Sequence, residues 1–250
     1  FGATLCGAGD VNGDGYSDVL IGAPAYDSYR GRAYVFLGSA SGLGPAYHWR
    51  VTGSATLVRY GEGLASAGDA NGDGYSDIVV SASMEAGDMG AVYAYYGGPA
   101  GLSTTASWTE VGWQINSWFG ASLANAGDAN GDGYDDLLVG AMRYDEAGRM
   151  ECGAVFLYRG SATGLEATPF WTKYGDQAGS EFGIGLAFAG DLNGDGYSDM
   201  TVAAYQYVDG PWSTGRVYVY HGSVNGYGAT EDWMGSDPMG GQWGMSIASA

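Results

Sequence analysis

The feature that most constrains this chain is an acidic motif, Gly-Asp-x-Asn-Gly-Asp-Gly-Tyr-x-Asp, which occurs four times. The copies are spaced 59, 59 and 63 residues apart, counted from their first aspartates: Asp10, Asp69, Asp128 and Asp191. Nine residues before each of them stands an aromatic residue followed by glycine: Phe1-Gly2, Tyr60-Gly61, Phe119-Gly120 and Phe182-Gly183. Self-similarity at a fixed period predicts tandem structural units.

Each unit contains four short segments with the composition of β-strands. They are, in order, the segment that begins at the aromatic-Gly pair, an aliphatic run after the acidic motif, an aromatic alternating run, and a segment around a tryptophan. We name them strands A, B, C and D, since short runs bounded by Gly, Asn and Asp indicate strands rather than helices. The predicted repeats are residues 1–59, 60–118, 119–181 and 182–242, with the first strand of a fifth at 243–250.

An all-β fold built from four-stranded antiparallel units is therefore predicted. Such a unit buries its faces only against neighbouring units, and radial stacking of this kind is a β-propeller. The composition agrees, because 46% hydrophobic residues with 15% charged residues indicate a folded chain. The 47 glycines follow no collagen period and suit tight turns and close packing of inner strands.

The residues from Phe1-Gly2 to Gly22-Ala23-Pro24, which bracket the first acidic motif, resemble the FG-GAP repeat of integrin α-subunit propellers and related bacterial and fungal proteins. The later repeats depart from the second half of this signature, with Ser81-Ala82-Ser83, Gly140-Ala141-Met142 and Ala203-Ala204-Tyr205. The resemblance implies a propeller, and integrin-like propellers have seven blades. We therefore expect a segment of a longer propeller, or a chain whose open edges are completed by another copy.

Each acidic motif has the oxygen donors of a calcium site. Side chains at positions 1, 3, 5 and 9 and the carbonyl at position 7 can converge if the loop curls, and glycine at position 6 permits the bend. Three carboxylates, an amide and a carbonyl favour Ca²⁺, with Mg²⁺ second. The predicted ligands are Asp10, Asn12, Asp14, Tyr16 and Asp18; Asp69, Asn71, Asp73, Tyr75 and Asp77; Asp128, Asn130, Asp132, Tyr134 and Asp136; and Asp191, Asn193, Asp195, Tyr197 and Asp199.

Two familiar calcium-binding modules fit the motif less well. An EF-hand needs glutamate at position 12, where this chain has Ile21, Val80, Val139 and Val202, and a dockerin module needs a helix after the loop. Polar hairpin turns without metal remain an alternative, since Asn-Gly and Asp-Gly form them readily. Four intact copies favour metal binding, because a turn alone is not expected to require aspartate at position 9.

The charge balance excludes several partners. With 28 acidic and 9 basic residues the net charge is −19, so neither nucleic acid nor an anionic membrane is an expected partner. No apolar run approaches the length needed to cross a bilayer. Without an initiator Met or a signal-peptide pattern, the chain is expected to be a mature or excised piece.

We expect no catalysis. His48 and His221 stand at positions that the repeats do not share, and the motifs of nucleophilic, zinc-dependent or phosphate-binding enzymes are missing from the sequence. Cys6 and Cys152 fall at non-equivalent positions of different repeats, so a structural disulfide is the less favoured interpretation and the cysteines alone do not fix the compartment.

A ligand-binding face is expected opposite the acidic loops. In a four-stranded meander the A–B and C–D turns leave at one end, and the B–C and D–A loops leave at the other. Variable loops on a rigid scaffold commonly carry function, and aromatic side chains there suit sugars or protein partners. The resemblance to integrins implies the same face. The predicted ligand-binding residues are Tyr144, Tyr205, Tyr207, Trp212 and Trp113.

The sequence thus predicts an extracellular or cell-surface calcium-binding propeller that acts as a binding or adhesion module for a protein or glycan. Extracellular calcium is about millimolar and would fill sites with dissociation constants of about 10⁻⁴ to 10⁻³ M. The alternatives are a lectin with sugar pockets and a non-catalytic accessory propeller of a secreted enzyme.

Overall fold

The computed structural model describes residues 1–210, 212–236, 243, 244 and 247. Nearly all regular structure there is β-strand, apart from short helical turns at Tyr26–Tyr29 and Glu85–Asp88. In this part of the chain no helix is long and apolar enough to cross a membrane. The strands are β1 Thr4–Gly9, β2 Asp18–Gly22, β3 Arg32–Phe36, β4 Trp49–Thr52, β5 Tyr60–Gly68, β6 Asp77–Ala82, β7 Ala91–Tyr95, β8 Trp108–Val111, β9 Phe119–Gly127, β10 Asp136–Ala141, β11 Ala154–Tyr158, β12 Trp171–Tyr174, β13 Gly185–Gly190, β14 Asp199–Ala204, β15 Arg216–Tyr220 and β16 Trp233–Ser236.

The strands form four sheets, each with four antiparallel strands in sequential order. The first sheet is β1-β2-β3-β4, and the pattern repeats through β13-β14-β15-β16. Each sheet contains one A, B, C and D strand, and the inner strands of successive sheets pack side by side from β1 through β5 and β9 to β13. The predicted all-β propeller with four-stranded antiparallel blades is confirmed.

The blades are joined by aromatic side chains that the repeats share. The strand D tryptophan of one blade meets the last strand C tyrosine of the next blade edge-on, with ring centroids 4.9 to 5.6 Å apart: Trp49 on Tyr95, Trp108 on Tyr158 and Trp171 on Tyr220. The indole Nε1 of Trp49 also donates to the carbonyl of Ser103 in the next C–D turn, 2.7 Å away. The aromatic residue that begins strand A is buried at the same junctions, as in Tyr60, Phe119 and Phe182. These residues form the core between blades.

Glycine is required where strand A of one blade meets the preceding blade. Gly90 has a φ of 85°, and a Cβ on it would lie 2.7 Å from the backbone nitrogen of Phe119. Gly31 and Gly153 make the same approach to the aromatic residue of the following repeat, and both pairs form parallel bridges. A side chain would hold the blades apart, so the high glycine content follows from the tight junctions.

Two blade faces have no blade against them within the described residues. Phe1 of the first blade is 75% exposed, whereas Phe119 at the equivalent position is 1% exposed. Trp233 of the fourth blade is 52% exposed, whereas Trp49 is 3% exposed. Trp243 forms a parallel bridge with Gly215, as the start of a fifth strand A would. The rest of the predicted strand 243–250 lies outside the described residues, except Gly244 and Ile247.

The two cysteines are unpaired, in agreement with the interpretation that the sequence favours. Cys152 is buried, and Cys6 is partly buried in the inner strand of the first blade. Burial raises the pKa of the Cys6 thiol to about 11, so this thiol is protonated at neutral pH.

The junctions differ in how they satisfy a buried tyrosine hydroxyl. At the first junction Tyr95 Oη lies 2.6 Å from Tyr60 Oη, and the two hydroxyls bond to each other. At the second junction Phe119 stands in the place of Tyr60. Tyr158 Oη is consequently buried with no hydrogen-bond partner among the described residues. The same chemical group is therefore bonded at one junction and orphaned at another.

This difference predicts opposite effects of one substitution. Tyr95→Phe should lower the free energy of unfolding by about 1–3 kcal/mol, because it leaves the hydroxyl of Tyr60 buried and unbonded. Tyr158→Phe removes an unbonded hydroxyl and should leave stability unchanged or raise it. Urea unfolding followed by circular dichroism measures both variants, and equal losses in the two would contradict the assignment.

Candidate metal loops and ligand face

The acidic motifs form the A–B turns, at residues 10–17, 69–76, 128–135 and 191–198. In the first turn the position 1 carboxylate is surrounded by backbone amides of its own loop. Asp10 Oδ1 accepts from the N–H groups of Gly13 and Asp14 at 2.7 and 3.1 Å, and Oδ2 accepts from Gly15 at 2.7 Å. Short polar side chains stabilise turns in this way, which explains why the sequence bends here.

Positions 3 and 5 continue the pattern. Asn12 Oδ1 accepts from the N–H of Asp14 at 3.2 Å, and Asp14 Oδ1 accepts from the N–H of Tyr16 at 3.0 Å. Asn12 Nδ2 donates to Asp14 Oδ2 at 3.0 Å. The other three loops repeat these contacts, for example at Asn71 and Asp73. In each loop the side chains at positions 1, 3 and 5, which are predicted ligands, therefore accept hydrogen bonds from backbone N–H groups of the same turn.

The position 9 aspartate begins strand B and is buried in all four repeats, at Asp18, Asp77, Asp136 and Asp199. Asp18 Oδ2 accepts from the N–H of Val11 at 3.0 Å, and Oδ1 accepts from Gly38 in the C–D turn at 2.9 Å. Each of the other three makes both bonds as well. The expectation that a turn alone would not require this aspartate is wrong, because it ties the A–B loop to the C–D turn.

Among the described residues, no cationic side chain pairs with the buried carboxylates. None of the ion pairs among the described residues includes an aspartate of the four loops. Burial is the main cause that raises the pKa of Asp77 and Asp136 to about 7, and the other loop carboxylates contribute in the same direction. Two backbone N–H bonds oppose the shift for each group. A nearby cation would stabilise the ionised form.

The donor set fits a hard cation. Each loop offers carboxylate, amide and carbonyl oxygens, and a carboxylate keeps lone pairs beyond one N–H bond per oxygen. In the described part of the chain, however, no three acidic, His or Cys side chains are already gathered as a metal cluster. The side chains are instead turned to backbone amides. Their chemistry suits Ca²⁺, with Asp at positions 1, 5 and 9, Asn at position 3 and the Tyr carbonyl at position 7 as the groups that would hold it.

Position 8, which the motif leaves unspecified, joins the second and third loops to the loop before each of them. Ser76 Oγ accepts from the N–H of Asp10 at 3.1 Å, and Asp135 Oδ2 accepts from the N–H of Asp69 at 2.8 Å. This contact is not among those that the sequence predicts. The serine or aspartate beside position 9 is its only sequence signal, and a hydrogen bond between repeats cannot be read from one repeat.

The B–C and D–A loops lie at the opposite end of the blades and form one hydrogen-bonded rim. Arg59 in the first D–A loop donates its N–H to Tyr29 of its own blade, and Met84 of the next B–C loop donates to Val58. The second and third D–A loops are held on both sides in the same way, by Trp118 to Asp88, Arg143 to Ser117, Glu181 to Glu151 and Gln206 to Ser180. Each D–A loop is therefore wedged between two B–C loops.

Glutamine side chains reinforce the rim. Gln114 Oε1 accepts from the N–H of Asp145 at 2.6 Å, and Gln114 Nε2 donates to the carbonyl of the same residue at 3.2 Å. Gln177 makes the equivalent pair with Val208 at 2.7 and 3.0 Å. Two long B–C loops, which begin at residues 142 and 205, are thus fixed by the D–A loop of the preceding blade.

Backbone strain is confined to this rim. Every described non-glycine residue with a positive φ lies in a B–C or D–A loop: Asp27, Ser28, Tyr29, Leu57, Arg59, Ala86, Asp88, Asn116, Trp118, Ala147, Glu151 and Glu181. Each such residue costs on the order of 1–3 kcal/mol and persists only where the surroundings impose it. Such strain commonly marks functional segments.

The predicted ligand residues lie on the rim but differ in exposure. Trp212 is 70% exposed and Trp113 is 50% exposed. The other three are partly buried. Tyr144 stacks on Tyr174 at 5.5 Å, and Tyr207 lies 3.6 Å beneath the guanidinium of Arg216.

Tyr205 is held as well, because its hydroxyl accepts from Gln206 Nε2 at 2.9 Å. The rim also exposes apolar side chains that were not singled out from the sequence, namely Leu57, Ile115, Met150 and Val208. A sequence pattern that marks aromatic residues alone could not find these four. The exposed surface is therefore a mixture of two tryptophans, the tyrosines Tyr26 and Tyr29 of the first B–C loop, and several aliphatic groups.

The histidines lie apart from the rim. His221 follows strand C of the fourth blade, where its Nδ1 is 3.7 Å from Asp232 Oδ1, and His48 precedes strand D of the first blade. Both positions are at the end of the blades that carries the acidic loops.

Comparison with known proteins agrees with this architecture. The FG-GAP repeat family model matches residues 1–36, 60–95, 119–157 and 182–220. Integrin alpha-4 of Xenopus laevis is 38% identical over 153 residues, 59% of this chain and 15% of that protein. Integrin alpha-PS2 of Drosophila melanogaster is 31% identical over 215 residues, 79% of this chain and 15% of that protein.

Integrin alpha-V of Gallus gallus is 30% identical over 207 residues, 79% of this chain and 19% of that protein. The chain therefore spans less than a fifth of the length of these relatives. The family matches fall on the four acidic motifs and on the strands around them. The resemblance inferred from the sequence is confirmed: this chain belongs to the FG-GAP repeat family and is similar to the integrin alpha subunits.

Proposed function

We propose that this chain is a non-catalytic adhesion module that works outside the cell and binds a protein ligand on the rim of B–C and D–A loops. The observation that carries the proposal is the rim itself, which is tied together by backbone bonds and yet exposes Trp113, Trp212 and several aliphatic side chains. Pre-ordered loops lose little entropy on binding, and exposed aromatic groups are common anchors in protein interfaces. The similarity to integrin alpha subunits supports the same function.

The ligand is proposed to be a protein rather than a glycan. Identical sugar pockets would need equivalent aromatic groups in each repeat, whereas the exposed tryptophans of the rim, among the described residues, occur only at Trp113 and Trp212. The mixture of aliphatic and indole surface suits a protein partner.

Substitutions on the rim should test this directly. Trp113→Ala and Trp212→Ala should each weaken binding to a responsive protein by roughly tenfold or more, as expected for interface anchors. Leu43→Ala, in the C–D turn of the first blade and so on the face with the acidic loops, removes a similarly exposed apolar side chain and should have no effect. A panel of immobilised extracellular-matrix proteins and a glycan array supply the candidate ligands. Binding that is lost only with Leu43→Ala, or binding to glycans alone, contradicts the proposal.

Calcium binding by the four acidic loops is part of the same proposal. A cation in a loop would offset three carboxylates, one of which is buried in each repeat. Four divalent ions would offset eight of the nineteen net negative charges. Extracellular calcium is near 1 mM, so sites of this kind would be filled outside the cell and empty in the cytosol.

Removal of calcium should therefore destabilise the fold. A site filled at 100 times its dissociation constant adds about 2.7 kcal/mol to the free energy of unfolding, so chelation should lower the melting temperature and calcium should restore it. Magnesium at equal concentration should restore less, because it demands stricter geometry. Asp132→Ala should reduce the bound calcium by one ion per chain. Glu146→Ala, at a residue outside the acidic loops, should leave the bound calcium unchanged. An unchanged melting temperature after chelation contradicts a structural role for calcium.

We also propose that residues 1–59, 60–118, 119–181 and 182–242 each form one blade, and that the exposed faces of the first and fourth blades accept a further blade of the same type. At the three internal junctions an aromatic residue that begins strand A is buried against the preceding blade. Phe1 and Trp233 are the same residue types at equivalent positions, but they are exposed. The covering blade would come from the remainder of a longer propeller or from a second copy.

Isolated chains should consequently associate through these faces. Sedimentation velocity should detect association that increases with concentration, because the two faces carry complementary halves of one junction. Trp233→Glu should abolish the association, and Trp212→Glu, which adds the same charge on the rim, should leave it. A chain that stays monomeric at every soluble concentration would contradict the proposal that these faces accept a blade.

A further inference from the structure

One residue distinguishes the junction between the second and third blades from the other two. Position 8 of the acidic motif is serine in three repeats, at Ser17, Ser76 and Ser198, and aspartate in the third, at Asp135. This side chain contacts the loop of the preceding blade at the first two junctions. The exchange therefore places a carboxylate between the second and third acidic loops, where the other junctions have a neutral hydroxyl.

The contacts of Asp135 are those of the serine it replaces. Asp135 donates its N–H to the carbonyl of Asp69 at 3.3 Å, and its Oδ2 accepts from the N–H of Asp69 at 2.8 Å. Ser76 makes the same two bonds with Asp10, at 3.0 and 3.1 Å. The two hydrogen-bonded junctions thus share one geometry, and only the charge differs.

The glycine that precedes each loop makes room for this side chain. A Cβ on Gly68 would collide with the carboxylate of Asp135, and a Cβ on Gly9 would collide with the hydroxyl of Ser76. Asp135 is consequently seated against the end of strand A of the second blade, directly before the second acidic loop. Its position is fixed by packing as well as by the two hydrogen bonds.

No cation compensates the charge of Asp135 within the described residues, since none of their ion pairs includes it. Burial is the main cause that raises the pKa of its carboxyl group, and Asp69 of the second loop and Asp128 of the third loop raise it as well. The N–H of Asp69 acts in the opposite direction. Asp135 bonds to the N–H of Asp69 in the second loop and directly precedes Asp136 of the third loop in the chain, so its carboxylate lies beside both loops.

We propose that Asp135 raises the calcium affinity of the second and third loops above that of the first and fourth, so that the four loops fall into two classes. This inference rests on the proposed binding of calcium by the acidic loops. A fixed negative charge beside both loops attracts a cation to either, and its hydrogen bond holds the first ligand of the second loop in place. Neither neighbouring junction supplies such a charge at position 8.

The expected size of the effect follows from electrostatics. A unit charge a few ångströms from a cation in a mostly aqueous environment changes affinity by roughly two- to tenfold at physiological ionic strength. The difference between the two classes should shrink as salt is added, because screening weakens interactions between exposed charges. The hydrogen bond of Asp135 should be much less sensitive to salt.

Competition between the chain and a chromophoric chelator measures the four binding steps. In the unaltered chain, two calcium ions should bind roughly two- to tenfold more tightly than the other two. Asp135→Asn keeps the size and the acceptor oxygen but removes the charge, and Asp135→Ser restores the side chain that the other junctions use. Both variants should weaken calcium binding at the second and third loops, so that all four sites bind with similar affinity. Melting temperatures in chelator verify that each variant is folded.

Ser198→Asp provides the converse test. It places a carboxylate at the junction of the third and fourth blades and should strengthen binding at both the third and the fourth loops, while Ser198→Asn should not. Four equivalent sites in the unaltered chain, or two classes that persist in Asp135→Asn and Asp135→Ser, would overturn the inference while leaving calcium binding intact. A chain that binds no calcium would overturn both this inference and the proposed function of the loops.

Discussion

The structure depends on one constraint, which is that a four-stranded blade has two faces and can bury them only against other blades. The tryptophan of strand D and the last tyrosine of strand C meet across each internal junction. Phe1 and Trp233 are exposed, because the described residues place no neighbouring blade against them. Stability in such an array is a sum of contributions from units and junctions. Glycine at Gly31, Gly90 and Gly153 allows the close approach on which these junctions depend.

The acidic loops belong to the same system of junctions. Their aspartate side chains fold each turn and tie it to the C–D turn of the same blade. In the first and second loops the N–H of the first aspartate also donates to a side chain of the next blade. These hydrogen bonds order the loop, and the oxygen atoms of its side chains are also suited to binding a cation. The residues proposed to hold calcium therefore also take part in blade packing, and a substitution in a loop would be expected to affect both.

Much of the fold could be predicted from the sequence because the same pattern of strand segments and turns occurs four times. The period, the strand segments around Val35 or Val139, and the placement of loops at opposite ends follow from hydrophobic pattern and meander geometry. The role of Asp18 could not be predicted, because one of its two backbone partners, Gly38, lies in a turn that the motif does not contain. The burial of Tyr144 and Tyr207 also depends on contacts with distant residues, at Tyr174 and Arg216. Composition gives no sign of such contacts.

The hydrogen bond made by the position 8 side chain has a direction, since the first and second acidic loops each receive it from the blade that follows in the chain. A ribosome releases the amino-terminal blade first, and domains generally begin to fold during synthesis. The acidic loop of a newly synthesised blade would therefore lack this hydrogen bond until the first strands of the next blade have emerged. Completion of these acidic loops would lag behind translation. A pause of the ribosome within one repeat would leave the acidic loop of the preceding repeat incompletely assembled, as well as the repeat that is still being synthesised.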